Sequence, residues 1–288
     1  MNAFVRQSFL GENSERVLRS ARVAIVGGCG GGSHVAQQFA HVGIGSYLVI
    51  DPQTIEESNL NRFVGATQRD VERTRPKIAI IKRVIKAVRP WAQVDARQAY
   101  WQTEGDALKR CDVVVGCLDS VRAKDELEAF CRRFLIPYVD VGMDVHGEAG
   151  AHLISGQVVL STPGTPCLKC LGVVTEKDLE REGIRYGEAG GLPQVVWPNG
   201  VLASTAVGLV VQLLCPWHAA PLDAAYLEYD GNTGTVTPSY KLAHAAKLGC
   251  THYPSTERGD PSFDIRQPPA AQQAKSKSFI DRLLASLK

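Results

Sequence analysis

The sequence predicts an α/β fold, a doubly wound and mostly parallel sheet with antiparallel strands toward the C-terminus. Three observations carry that reading. Residues 22–51 pack an apolar strand, a glycine-rich turn, a helix and a second strand ending in an acid into a single short stretch. Beyond it, β-branched runs alternate with helix-like segments as far as Tyr138, the order of parallel strands joined by crossover helices. After Gly147 the alternation stops, and Gly156 to Leu160, Ala225 to Tyr229 and Gly234 to Ser239 read as strands able to run antiparallel.

Val23 to Val26 is short, apolar and β-branched, as suits a parallel strand covered on both faces. Gly27, Gly28, Gly30, Gly31 and Gly32 then let the backbone turn sharply and approach phosphate oxygens, and the helix from Ser33 to Val42 offers its N-terminal N–H groups and dipole. Tyr47 to Ile50 returns as a strand, and Asp51 at its end suits the hydroxyls of a ribose. The unit is Rossmann-like, with an imperfect fingerprint. Counting back from Asp51 sets the glycine frame at Gly27, Cys29 and Gly32; a shift by one gives Gly28, Gly30 and Ser33. A glycine-rich turn in a non-binding α/β protein has the same composition, so this unit alone leaves nucleotide binding open.

The later elements follow in order. A helix is expected from Pro76 to Val88, a strand from Gln93 to Ala99, a helix from Thr103 to Arg110, a strand from Asp112 to Leu118, a helix from Asp125 to Phe134 and a strand at Tyr138. Glu176 to Glu182 is a charged helix-like run, and Gly187 to Pro198 reads as a loop, a cover over the site or a channel for a substrate's tail. Val201 to Cys215 is apolar but interrupted by Ser204, Thr205 and Gln212; it is too short to cross a bilayer and reads as a buried helix. Residues 1–265 form the main domain, 266–278 a linker by composition, and 279–288 a short helix whose Phe279, Ile280, Leu283, Leu284 and Leu287 share one face.

With 288 residues, 44% of them hydrophobic, the chain can bury a full core. Its net charge of +2, spread along the sequence, gives no support for a general nucleic-acid binder. The first twenty residues hold Arg6, Glu12, Glu15 and Arg16 with no apolar core of a secretory signal, so a cytoplasmic protein with mostly reduced cysteines and no membrane partner is expected.

Ser58-Asn59-Leu60-Asn61-Arg62 follows Asp51 closely, and Pro76-Lys77 opens the next helix. An enzyme that releases pyrophosphate needs such cations to neutralise charge building on the leaving phosphates. Singly, Arg62 and Lys77 read equally well as solvated surface charges. The strand DVVVGCL ends in Asp119-Ser120-Val121-Arg122, and Cys131 to Gly142 closes a helix and opens another strand.

These runs, in this order with GGCGGGS, Asp51, SNLNR and PK, resemble the ThiF/MoeB family, adenylyltransferases related to ubiquitin-activating enzymes, over about residues 1–255. The resemblance implies that Asp51 holds the ribose of ATP, that Asn59, Arg62 and Lys77 hold the triphosphate, and that Asp119 serves Mg²⁺ and the reacting phosphate. It implies that Arg6 reaches into a partner's ATP site, which calls for a homodimer. The substrate it implies is the C-terminal glycine of a ubiquitin-like or sulfur-carrier protein, activated as an acyl adenylate, with a downstream conjugating partner as a further expectation. Two other classes stand beside it. One is activation of another carboxylate, of a tRNA-borne threonyl group or a ribosomal peptide, and DSVRAKDELEAFCRR looks like the tRNA-modifying branch. The other is a non-catalytic nucleotide-binding scaffold.

Cys167-Leu168-Lys169-Cys170 has the spacing of a zinc knuckle. In the resembling family a second C-x-x-C completes a structural Zn²⁺ site, whereas here Cys250 is followed by His252 and Tyr253, with His252 as the candidate fourth ligand. The alternative is that these thiols are small, part-buried side chains. Cys29, Cys111, Cys117, Cys131 and Cys215 lie in or beside apolar elements and read as packing, although the helix N-terminus is placed to lower the pKa of Cys29. Between Cys170 and Cys215 there is no cysteine to form the thioester or persulfide of some family members. Thr175 is the candidate hydroxyl nucleophile in that crossover segment.

Overall fold

The structure is a computed structural model and describes residues 4–148, 150–184, 193–220, 222–253 and 259. The linker at 266–278, the helix expected at 279–288 and part of the crossover loop lie outside the described residues.

The strands are β1 (Arg22–Val26), β2 (Ser46–Ile50), β3 (Gln93–Arg97), β4 (Val113–Gly116), β5 (Tyr138–His146), β6 (Leu153–Ser161), β7 (Ala225–Asp230) and β8 (Thr235–Pro238). They form one sheet in the order β3-β2-β1-β4-β5-β6-β7-β8. The first five are parallel, and β6, β7 and β8 join antiparallel, as the change of pattern after Gly147 predicts. Val26 pairs with Ile50 and Gly116, and Gly116 with Asp140, so these four residues lie level at the carboxyl ends of the parallel strands. β5 runs on past that level, paired with β6 as far as His146.

The helices are α1 (Ser14–Ser20), α2 (Gly30–Val42), α3 (Gln68–Glu72), α4 (Lys77–Val88), α5 (Gly105–Leu108), α6 (Val121–Arg133), α7 (Glu176–Ile184), α8 (Val196–Leu214) and α9 (Tyr240–Leu248). Short 3₁₀ helices span Val5–Leu10, Glu57–Asn59 and Trp101–Thr103. The core lies on both faces of the sheet. Phe39 of α2, Ile80 and Ile81 of α4 and Val210 of α8 cover one face; Leu127 and Phe130 of α6 cover the other. Truncating one such fully buried aromatic to Ala costs about 3–5 kcal/mol.

Several boundaries differ from the sequence expectation, each for a local reason. α2 begins at Gly30 rather than Ser33, because the glycines that permit a turn also complete the first turn of the helix. α6 begins at Val121 rather than Asp125: the Ser120 hydroxyl accepts the Ala123 N–H at 3.0 Å and caps a polar first turn without hydrophobic period. α8 begins at Val196 rather than Val201. Pro198, read as a loop residue, sits in its first turn, where a missing N–H breaks no helical hydrogen bond. Although α8 is long and apolar enough by composition to span a membrane, half of its apolar window is buried, and it packs chiefly on α2, β5 and β6.

Asp70 fixes the segment that delivers α4. Its buried carboxylate accepts two hydrogen bonds from Arg83 at 2.7 Å and one from the Thr67 hydroxyl at 2.7 Å, and pairs with Arg75 at 3.0 Å. The Arg83 guanidinium, foremost among these, holds the Asp70 carboxyl well below the usual range.

Candidate functional site

Strand order reverses between β1 and β4, and the crevice outside their carboxyl ends is where ligands bind in open α/β sheets. The turn after β1 decides between the two glycine frames. Gly27 has φ +93° and a Cβ there would stand 2.2 Å from the Cys117 carbonyl oxygen; a Cβ on Gly32 would stand 1.9 Å from the Gly27 oxygen. Only glycine fits at both, so the frame is Gly27, Cys29 and Gly32. Gly28 lies in the turn, and Gly30, Gly31 and Gly32 form the first turn of α2, whose N-terminal N–H groups face the crevice.

Asp51 is buried at the end of β2, its Oδ2 accepting the Gly28 N–H at 2.6 Å and its Oδ1 the Gln53 N–H at 2.8 Å. These bonds fix the carboxylate and leave further lone pairs for hydroxyl donors. Gln53 also accepts the buried Lys77 Nζ at 2.6 Å, which ties the start of α4 to the segment after β2. Asn59 is buried and accepts the Glu56 N–H at 3.2 Å. Arg62 donates through Nη1 to the Ser58 carbonyl at 2.7 Å and to Asn61 Oδ1 at 3.0 Å.

Cys29 reports how these charges converge. Burial pushes its thiol up, Lys77 and Arg62 pull it down, and Asp119 pushes it up again, with burial prevailing. The expectation of a lowered pKa is therefore corrected: desolvation outweighs the helix N-terminus and both cations. The charges of Lys77, Arg62 and Asp119 are thus all felt by one thiol at the head of α2.

Asp119 follows β4, exposed, with its Oδ1 accepting Gln194 Nε2 at 2.8 Å. The Gln194 carbonyl accepts Asn61 Nδ2 at 2.8 Å, so the chain entering α8 bridges Asp119 and the SNLNR loop. Arg6 stands apart from this cluster. Its neighbour Gln7 donates to the carbonyl of Val42, at the end of α2 opposite the phosphate turn, about 18 Å away by helical rise.

Cys167, Cys170, Cys250 and His252 form a second constellation whose donor atoms lie within 4.8 Å of one another. Cys167 and Cys170 Sγ are 3.5 Å apart, Cys170 and Cys250 Sγ 3.6 Å, and His252 Nδ1 stands 3.4 Å from both Cys167 and Cys170. Tetrahedral Zn²⁺, at about 2.3 Å from sulfur and about 2.0 Å from nitrogen, sets donor separations of roughly 3.5–3.8 Å. The donor set and its spacing fit that ion. α6 holds this cluster in place: both Glu128 carboxylate oxygens accept the Leu168 N–H at 3.1 Å, and Arg132 donates to the carbonyls of Thr162, Thr165 and Pro166. Ser161 donates to Glu128 at 2.5 Å, and burial pushes the Glu128 carboxyl up to about 7.

The Thr175 hydroxyl donates to Asp178 Oδ2 at 2.5 Å and accepts the Asp178 N–H at 3.2 Å, the arrangement that starts α7. Sequence reasoning assigns no role to Gln53, Gln194, Glu128 and Arg132, although the last three lie in runs it quotes, since each acts on a partner brought near by folding.

The profile of the ThiF family matches residues 3–251. Among curated relatives, the tRNA threonylcarbamoyladenosine dehydratase 1 of Saccharomyces cerevisiae is 25% identical over 186 residues, covering 62% of this chain and 42% of that one. The sulfur carrier protein ThiS adenylyltransferase of Escherichia coli is 28% identical over 163 residues, covering 55% and 61%. The matched stretch is thus less than two thirds of either relative. The solved structure of E. coli MccB superposes with a TM-score of 0.70 at 20% identity, covering 91% of this chain and 73% of that one, a likeness of fold.

Proposed function

The chain belongs to the ThiF family, and from that membership we propose that it is an ATP-dependent adenylyltransferase acting on the C-terminal carboxylate of a ubiquitin-like or sulfur-carrier protein. The observation that supports this reading is the Asp51 carboxylate bound to the phosphate turn at Gly28, at the switch point of the sheet, with the charges of Lys77, Arg62 and Asp119 all felt by Cys29 in that turn. A carboxylate has no good leaving group. When its oxygen attacks the α-phosphorus of ATP, a carbon–oxygen–phosphorus link forms, the bond to the β-phosphate breaks, and pyrophosphate leaves with the electron pair. The residues position the reactants and manage charge. Asp51 accepts from the ribose, the N–H groups of Gly30 to Gly32 and Asn59 orient phosphates, and Arg62 and Lys77 neutralise the departing pyrophosphate. The Asp119 carboxylate suits Mg²⁺, which when bound would offset triphosphate charge.

Arg6 acts in this reading across a homodimer, because its own phosphate turn lies at the far end of α2. Zn²⁺ is assigned to Cys167, Cys170, Cys250 and His252 as a structural ion. The C-terminal glycine of the carrier, a downstream conjugating partner and a cytoplasmic location belong to the same proposal. A second reading, activation of a tRNA-borne carboxylate, draws on the run from Asp119 to Arg133 and on the likeness to the yeast dehydratase. Isotope exchange between pyrophosphate and ATP tests the assignment. Exchange that depends on a carrier protein ending in glycine supports it, exchange driven by tRNA supports the second reading, and none with either leaves a scaffold.

A further inference from the structure

Beside the phosphate turn lies a buried ion pair that the chemistry above does not use. Lys124 of α6 donates to Asp140 of β5 at 3.1 Å, both side chains less than a tenth exposed, and Tyr138 donates to the other Asp140 oxygen at 3.1 Å. Burying an ion pair confers little or no net stability over apolar packing, so its presence calls for another demand. Asp140 pairs in register with Gly116, three residues before Asp119. Cys117, the next residue after Gly116, touches the phosphate turn: a Cβ on Gly31 would stand 3.3 Å from its Sγ. Burial pushes this thiol up to about 12, with Asp140, Lys124 and Asp119 all acting on it.

A Cβ on Gly142 would stand 2.7 Å from Lys124 Nζ and 2.5 Å from Gln157 Nε2, so the two donors overhang the bare backbone of this glycine and bound a recess there. Gly142 and Gln157 are only half-buried, which leaves the recess open to a ligand. Asp140 accepts one hydrogen bond from Lys124, and an ammonium can donate three.

Building on the adenylation reading, we propose that Lys124 and Gln157, over Gly142, receive the carboxylate to be activated and hold one of its oxygens while the other attacks the α-phosphorus. Asp140 and Tyr138 hold Lys124 in place, and the acyl oxygen stays in the recess after pyrophosphate has left. The recess thereby separates recognition of the acyl group from recognition of the nucleotide.

Calorimetric titration with AMP and with the stable acyl-adenylate mimic N-acetylglycyl-sulfamoyl adenosine tests this without the carrier protein. The unaltered chain should bind the mimic roughly a hundredfold more tightly than AMP. Gly142→Ala, which intrudes a methyl between the two donors, and Gln157→Leu should each cut that preference by roughly tenfold or more, with AMP affinity unchanged. The double change Lys124→Gln with Asp140→Asn, which leaves no lone buried charge, should do the same. If Gly142→Ala and Gln157→Leu fold and keep the full preference, or lose AMP and mimic in equal measure, the recess has no acyl role. If the unaltered chain binds neither compound, the adenylation reading itself falls and the recess falls with it.

Discussion

Gln194 Nε2 donates to Asp119 Oδ1 at 2.8 Å, which joins the chain entering α8 to the acid at the end of β4. The contact engages the carboxylate that the proposed chemistry assigns to Mg²⁺, so ligand binding has to compete with it. Gln194→Ala should lower the KM for Mg·ATP in pyrophosphate exchange by about three- to tenfold, the equivalent of one hydrogen bond. An unchanged KM would show that Gln194 does not compete, and a raised one that it binds the ligand.

Arg62 and Lys77 are assigned to the leaving pyrophosphate. Replacing either by Ala should slow pyrophosphate exchange by about ten- to a thousandfold, the range for a lost transition-state donor. Circular dichroism should show the fold retained in Arg62→Ala, whose guanidinium, among the described residues, bonds within its own loop.

Arg6 and the phosphate turn lie at opposite ends of α2. Arg6→Ala and Lys77→Ala chains, each impaired alone, should regain activity when mixed, because a hybrid dimer carries one site with both residues intact. A monomer by light scattering, or no recovery on mixing, would remove Arg6 from the site.

The four donors of the thiolate cluster are spaced for one ion. Elemental analysis should find one zinc per chain, and Cys167→Ser should lose it together with several degrees of thermal stability. Protein that is metal-free and equally stable to heat would mean that the thiols merely pack.

Glu128 links α6 to that cluster through Leu168, and burial raises its carboxyl from 4.5 to about 7. Between these values the folded protein holds a proton that the unfolded chain has lost. Its contribution to stability is thus complete below about pH 4.5 and is lost as pH rises through about 7. Urea denaturation of Glu128→Gln with zinc in excess should lack this fall, so the variant gains on the unaltered protein between pH 5 and 8. Parallel pH profiles would show that Glu128 titrates alike in both states.

The sequence by itself determined the features that arise from backbone stereochemistry and short spacing. The βαβ unit from Arg22 to Asp51, the alternation up to Tyr138 and the switch after Gly147 are all written in residues a few positions apart, and the sheet follows them. Boundaries were less legible where a polar cap replaced a hydrophobic period, as at Ser120, or where Pro198 opened a helix it would break elsewhere. The tertiary structure decided which distant residues meet. Two glycine frames were open until packing against the Cys117 and Gly27 carbonyls selected Gly27 and Gly32. A helix N-terminus argued for a lowered Cys29 pKa until burial, a property of the whole fold, reversed it. His252 meets Cys167 across 85 positions, Gln194 meets Asp119 across 75, and Glu128 meets Leu168 across 40. Such pairs carry no local signature, because a hydrogen bond or an ion site depends on where the chain returns, and that is fixed only when both faces of the sheet are covered.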